Sequence, residues 1–225
     1  MITPGRRLLD VGCDHAYLPI ELVGSGVCPL AVATDISQSA VESAAANIKA
    51  AQLEDRISVR YADGLAGAKA GECDCLVISG MGGPLMIEIM SGREELLESF
   101  REVVLSPQSE VAQVRQWIAE HGMKLVDEKM VCDQHKYYVI LKVTSGAEEI
   151  YSQDADTRAV QYAYGPHLIQ RRDSVLADFL HEETGRLDEA IEAVCQSREE
   201  RARKRALELR AQKEAACSVM KSWTI

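Results

Sequence analysis

A carboxylate stands directly behind a glycine turn in Asp10-Val-Gly-Cys-Asp-His-Ala-Tyr-Leu-Pro19, and that placement restricts the chemistry the turn can serve. Leu8 and Leu9 precede it and Ile20-Glu-Leu-Val23 can continue as a helix. A strand leading through a glycine turn into a helix start is how open α/β sheets hold nucleoside cofactors. Asp14 would repel a pyrophosphate but tolerates a zwitterionic amino acid with a sulfonium charge. Only Gly12 remains of the G-x-G-x-x-G pattern of dinucleotide binders, so an NAD-dependent oxidoreductase fails on the glycines. The turn reads instead as a site for S-adenosyl-L-methionine.

Three more groups fit that cofactor. Asp35, followed by Ile36, ends a second apolar run about 20 residues on, where an acid accepts ribose hydroxyls. Taken alone, Asp35 is equally a helix cap. Asp63-Gly64 ends a third run, where a carboxylate can accept from an adenine amino group or simply form a turn. Gly80-Met81-Gly82-Gly83 ends a fourth, where amino-group methyltransferases commonly carry an Asn/Asp-Pro-Pro-aromatic loop. Glycines there let the backbone approach a flat substrate closely, a use that offsets their cost in stability; the alternative is a tight loop that merely changes direction before Pro84.

The elements that must position these groups alternate. Leu8–Val11 is a strand, with a helix from about His15. Leu30–Thr34, Ile57–Tyr61, Cys75–Ile78 and Val103–Leu105 are further strands. Ser37 caps a helix through Val41, Ala44, Ala45 and Ile48, and a helix from Ser109 carries Val111, Val114, Trp117 and Ile118 on one face. Lys124–Met130 and Tyr137–Val143 form an antiparallel pair. Five βα units and a terminal hairpin predict an α/β, Rossmann-like methyltransferase domain over residues 1–146.

Composition excludes several classes. The 225 residues are 47% hydrophobic, enough for a full core, and no apolar run approaches the roughly 20 residues of a membrane span. Met1-Ile-Thr-Pro-Gly-Arg-Arg precedes no long apolar stretch, so no signal peptide is expected and a cytoplasmic location is. Seven cysteines, an odd number, argue against a disulfide framework; all seven read as small buried hydrophobes, with no metal site. The net charge of −10 is unevenly placed: residues 1–150 hold 13 Lys+Arg against 22 Asp+Glu, residues 151–225 hold 12 against 13.

Together, Asp14-His-Ala-Tyr-Leu-Pro19, Asp63-Gly-Leu65, Gly80-Met-Gly-Gly83 and Ser106-Pro-Gln108 make the chain resemble the bacterial TrmK family over almost its whole length. These are S-adenosylmethionine-dependent tRNA methyltransferases that modify N1 of the adenine at position 22 in the D-loop. The resemblance implies a cofactor pocket lined by Gly12, Asp14, His15, Tyr17, Leu18, Asp35, Ile36, Asp63, Gly64, Gly80, Met81 and Gly82, with S-adenosyl-L-homocysteine as the product. The chain departs from the family in two places. Members usually have a helical segment ahead of the first strand, and many read Gln-Pro where this chain has Ser106-Pro107-Gln108. Adenine N1 carries an in-plane lone pair, so alignment and exclusion of water matter more than a strong base. Methylation leaves a cationic base, which Asp14 would stabilise before the amino proton is lost, with His15 or Gln108 orienting the ring. His15 is equally a structural group at the helix start, and Tyr17 either stacks on adenine or fills the core.

From Tyr151 the chain turns helical, and residues 151–225 are expected to form a C-terminal α-helical coiled-coil hairpin. One helix ends before Gly165-Pro166; Val175, Phe179, Glu183, Leu187, Ile191 and Val194 trace a seam on the next. Ala202, Ala206, Leu209, Ala216 and Met220 trace one on the last. Arg198, Arg201, Arg203, Lys204, Arg205 and Arg210 cluster there, either as a grip on tRNA phosphates or as a solvated face with Glu–Arg pairs. The expected partner is tRNA, with no membrane, and the chain a monomer or weak homodimer. A small-molecule N-methyltransferase and a nonenzymatic nucleoside-binding or scaffold protein remain alternatives. The first has no use for the helical hairpin, and the second would not turn cofactor over.

Overall fold

The structure is a computed structural model that describes residues 1–196 and 200–223. Its contacts divide the chain into two compact units, residues 1–128 with 139–149, and residues 129–138 with 150–225.

The first unit is built on parallel strands β1 (Leu8–Val11), β2 (Ala31–Asp35), β3 (Ile57–Tyr61), β4 (Cys75–Ser79) and β5 (Glu102–Ser106). Strands β1, β4 and β5 are mostly apolar, apart from buried Asp10 and Glu102, and buried along almost their whole length, as a parallel sheet covered on both sides requires. β3 alternates with exposed positions, in keeping with its place at the sheet edge. With β6 (Met123–Asp133) and β7 (Lys136–Ser145), the order is β3-β2-β1-β4-β5-β7-β6. β7 runs antiparallel to β5, pairing Val143 with Val103 and Leu141 with Leu105. The strand order reverses between β1 and β4, whose register sets Leu8 beside Cys75 and Val11 beside Ile78. At such a switch point the two flanking crossovers leave on opposite faces, and a crevice opens at the carboxyl ends of the strands.

Helix α1 (Tyr17–Gly24) begins two residues later than periodicity suggests, because Asp14 and Ala16 both adopt left-handed backbone, φ 48 and 56°. Ser37 caps α2 (Gln38–Ala50), its hydroxyl accepting from the Ala40 amide at 3.4 Å. α3 (Gly83–Ser91) and the short α4 (Glu94–Leu97) follow β4, and α5 (Val111–Glu120) follows β5. Arg115 on α5 is 1% exposed and paired with the fully buried Glu128 of β6 at 2.6 Å. Four of the seven cysteines, 13, 28, 73 and 75, are buried. The expectation of burial fails for Cys132 and Cys195, which are exposed, and for Cys217, which is half-buried: one stands near a hairpin turn and the others outside the helix seam.

In the second unit α6 (Ala155–Tyr164) is capped by Asp154, and Gly165 at φ 90° separates it from α7 (Pro166–Arg171). α8 (Ser174–Cys195) and α9 (Glu200–Ser222) run antiparallel, with Asp188 ion-paired to Lys213 and Arg210 against Cys195. The start of the α8 seam lies one residue from the predicted line, with Leu176 and Leu180 fully buried and Val175 and Phe179 half-buried, whereas Leu187 is buried on that line. On α9 Ala206, Leu209, Ala216 and Val219 are buried, while Ala202 and Met220 sit at the margin. The contacts divide the chain at 149/150, between residues 146 and 151, and in addition group the hairpin tip, residues 129–138, with these helices.

Candidate active site at the strand ends

Gly12 follows β1 at φ +73°, a conformation side chains disfavour, and its amide and that of Cys13 both donate to the Thr34 carbonyl at 2.8 and 3.0 Å. These bonds tie the first turn to β2. A Cβ on Gly12 would stand 2.0 Å from the methyl of Met81, so the loop after β4 lies directly on the glycine turn. Asp35, at the end of β2, accepts from the Asp14 amide at 3.0 Å and from the Ser37 amide at 2.8 Å, one oxygen each. Its carboxylate is thereby fixed, with lone pairs left for further donors.

The side chain of Asp14 is 73% exposed, 3.6 Å from His15 Nε2. His15 is anchored on its other side, with Nδ1 hydrogen-bonded to the Ser43 hydroxyl at 2.7 Å and its carbonyl accepting from Asn47 Nδ2 at 3.0 Å. Its ring stacks on Tyr17, centroids 5.4 Å apart. Tyr17, Ile36 and Tyr61 are each at least 60% exposed, an unusual degree for large apolar side chains. Asp63 follows β3 and leads into a short 3-10 turn, Gly64–Gly67, in which Gly64 takes φ +49°.

The loops after β4 and β5 are clasped together. The Gln108 amide donates to the Met81 carbonyl at 2.9 Å and the Gly83 amide to the Ser109 carbonyl at 3.0 Å. A Cβ on Gly83 would meet the Ser109 carbonyl at 2.7 Å and the Glu110 carbonyl at 3.0 Å, so that glycine is dictated by the close approach. Gly80 takes φ +74°.

Thus Gly12, Asp14, His15, Tyr17, Asp35, Ile36, Asp63, Gly64, Gly80, Met81, Gly82 and Gln108 all lie at the carboxyl ends of β1 to β5. Leu18 differs, being packed against the hydrophobic core. Of the basic cluster, Arg201, Arg203, Lys204 and Arg205 are exposed on α9, and Arg205 is paired with Glu208 at 3.0 Å; Arg198 lies outside the described residues.

The sequence reading passed over Asp10 and Tyr61. Asp10 is 3% exposed inside β1, and burial, then the charge of Asp35, pushes its carboxyl up to about 7. An acid inside an apolar run was the available signal. Tyr61 stands two residues before Asp63, at the exposed end of β3.

Comparison with known proteins agrees with this geometry. A tRNA (adenine(22)-N(1))-methyltransferase of Bacillus subtilis is 30% identical over 174 residues, 77% of this chain and 73% of the relative. The crystal structure of the B. subtilis m1A22 tRNA methyltransferase TrmK superposes with a TM-score of 0.83 at 27% identity, covering 97% of this chain and 93% of that one. A Streptococcus pneumoniae protein solved in complex with S-adenosyl-L-methionine gives 0.84 at 30% identity, covering 97% and 94%. The model of the family described as TrmK, tRNA (adenine(22)-N(1))-methyltransferase, matches residues 8–215, and this chain belongs to that family.

Proposed function

We propose that this chain transfers a methyl group from S-adenosyl-L-methionine to N1 of the adenine at position 22, in the D-loop of tRNA. The observation that carries the reading is the row of carboxylates and glycine turns at five successive strand ends, in a chain of this family. The residues fit the cofactor. Asp35 is held by two amides so that its remaining lone pairs accept ribose hydroxyls. Asp63 accepts the adenine amino group, and Gly12 leaves the floor of the turn without a side chain. Exposed Ile36 and Tyr61 offer apolar surface to a purine. When bound, S-adenosylmethionine supplies a methyl group on a sulfonium, a leaving group that needs no metal.

The chain's own residues then have modest tasks. The Gly80–Gly83 loop, clasped by Gln108 and Ser109, presents backbone to the flat target base and excludes water. Gln108 or His15 orients the ring. The Asp14 carboxylate, exposed at the mouth of the turn, stabilises the cationic base and receives the amino proton. Arg201, Arg203, Lys204 and Arg205 bind phosphates of the tRNA by charge, leaving selection to RNA shape. We also assign the chain to the cytoplasm, as a monomer or weak homodimer. Among the described residues no helix is long and apolar enough to cross a membrane.

Methyl transfer to bulk bacterial tRNA, followed by nucleoside mass analysis, tests the function: 1-methyladenosine is expected, and any other product overturns it. Asp14→Ala should lower turnover at saturating cofactor by about 10²-fold or more, the scale of a lost acid–base group. Near-normal turnover in that variant would remove Asp14 from the mechanism.

A further inference from the structure

The β6–β7 hairpin belongs to both compact units. Its base, residues 123–128 and 139–145, is part of the sheet unit, and its tip, residues 129–138, is part of the helical one. Each end is anchored by a specific pair. At the base, Glu128 is the last β6 residue in the sheet unit, and it is the one locked to Arg115 of α5 at 2.6 Å. Helix α5 itself starts just after the Gln108–Ser109 segment that clasps the Gly80–Gly83 loop. At the tip, Tyr137 donates its hydroxyl to Glu182 of α8 at 2.8 Å and sets its ring edge-on to Phe179, centroids 5.2 Å apart. Phe179 and Glu182 lie three residues apart, hence on one face of α8.

The tip is costly to build. Its two turn residues, Gln134 and His135, both have left-handed backbone, φ 47 and 62°, without the Asn-Gly pair that normally makes such a turn easy. A strained two-residue turn presents Tyr137 in one defined direction, and a loose loop could not. The carboxylate of Glu182 holds the Tyr137 phenol up to about 12, so the hydroxyl remains a donor throughout the physiological pH range.

We propose that Tyr137 and Glu182 are positioning residues for the tRNA reaction: they latch the hairpin tip onto α8 and so fix the shape of the helical unit whose α9 carries the RNA-binding charges. This rests on the tRNA function proposed above. The latch joins groups that touch neither cofactor nor target base, so it acts on substrate presentation and leaves the cofactor pocket alone.

The test is steady-state methylation of tRNA by the full chain. Tyr137→Phe keeps the ring contact and removes only the hydroxyl, and it should raise KM for tRNA about five-fold, the worth of one such hydrogen bond, with cofactor affinity unchanged. Glu182→Ala should do the same, and the double variant should be no worse than either single one. Glu182→Gln retains an acceptor oxygen and should restore a near-normal KM. If tRNA KM stays at the wild-type value in both Tyr137→Phe and Glu182→Ala, or if cofactor affinity falls in parallel, the latch is overturned. Wild-type chain that methylates no tRNA overturns the underlying function, a result distinguishable from failure of the latch in an active enzyme.

Discussion

The sheet unit and the helical unit hold their functional groups by different means. At the strand ends, position is set by backbone: Gly12 and Gly80 at positive φ, the Gly83 amide on Ser109, and the Asp35 carboxylate on two amides. Each group there depends on several others, and the surrounding core admits no slack. On α9 the basic side chains are exposed, and Arg205 has only an i,i+3 partner. Such charges act as a sum over a flexible surface. A methyl acceptor must be aligned to fractions of an ångström, whereas a phosphate backbone has only to be attracted and held.

The contrast predicts unequal penalties for substitution. The largest belongs to the buried ion pair between α5 and β6. Glu128→Ala leaves the Arg115 guanidinium without its main counter-charge at 1% exposure, and unfolding of the sheet unit should become easier by about 3–5 kcal/mol. Denaturant melts followed by the fluorescence of Trp117 on α5, with Trp223 of the helical unit replaced by Phe, read this directly. A change below about 1 kcal/mol would show that the sheet unit is as forgiving as the helical one.

Asp10 gives a pH signature of similar origin. Its carboxyl is raised from 3.8 to about 7, so between those values the unfolded chain has lost a proton that the folded chain retains. Stability therefore falls as pH rises through that window, and the penalty is complete above about 7. At about 1.4 kcal/mol per unit it amounts to a few kcal/mol. Asp10→Asn should flatten the pH dependence of the melting temperature between pH 4 and 7 and stabilise the free protein at pH 8. Parallel curves for the two proteins would sink the assignment.

The smallest effects belong to α9. Arg201→Ala alone should change tRNA affinity by less than about 1 kcal/mol, while reversal of Arg201, Arg203 and Arg205 to Glu should cost tenfold or more. The triple variant should also flatten the dependence of affinity on salt, with cofactor binding unchanged. A single substitution as severe as the triple one would mean that this helix reads one defined contact, and the comparison between the units would fail.

The strand-end position of the candidate loops was legible because short local motifs encode it. Glycine, aspartate and strand-end position coincide at Gly12–Asp14, Asp63-Gly64 and Gly80–Gly83. Nonlocal features were not legible. Nothing in the spacing of Arg115 and Glu128 announces a buried ion pair, because it depends on how α5 lies on β6. Left-handed backbone at Asp14, Ala16, Gln134 and His135 runs against the local preference of those residues, and at the first two the amides are bonded to Asp35 and Cys13. The start of the α8 seam is displaced by one position because Val175 and Leu176 are both apolar, as are Phe179 and Leu180, and burial favours the second of each pair, while Leu187 keeps its predicted place.

The division of the β6–β7 hairpin has a practical corollary for anyone wishing to take the molecule apart. Cutting the chain at residue 150 does not separate two modules, since it strands ten residues of the helical body on the end of a sheet-edge ribbon. Those ten residues include Met130, Val131 and two tyrosines, on the edge strand β6 and its partner β7. Ribbons of that kind recruit one another. A soluble catalytic fragment calls for the tongue to be shortened along with the tail, by joining Glu128 to Val139 through a tight synthetic turn.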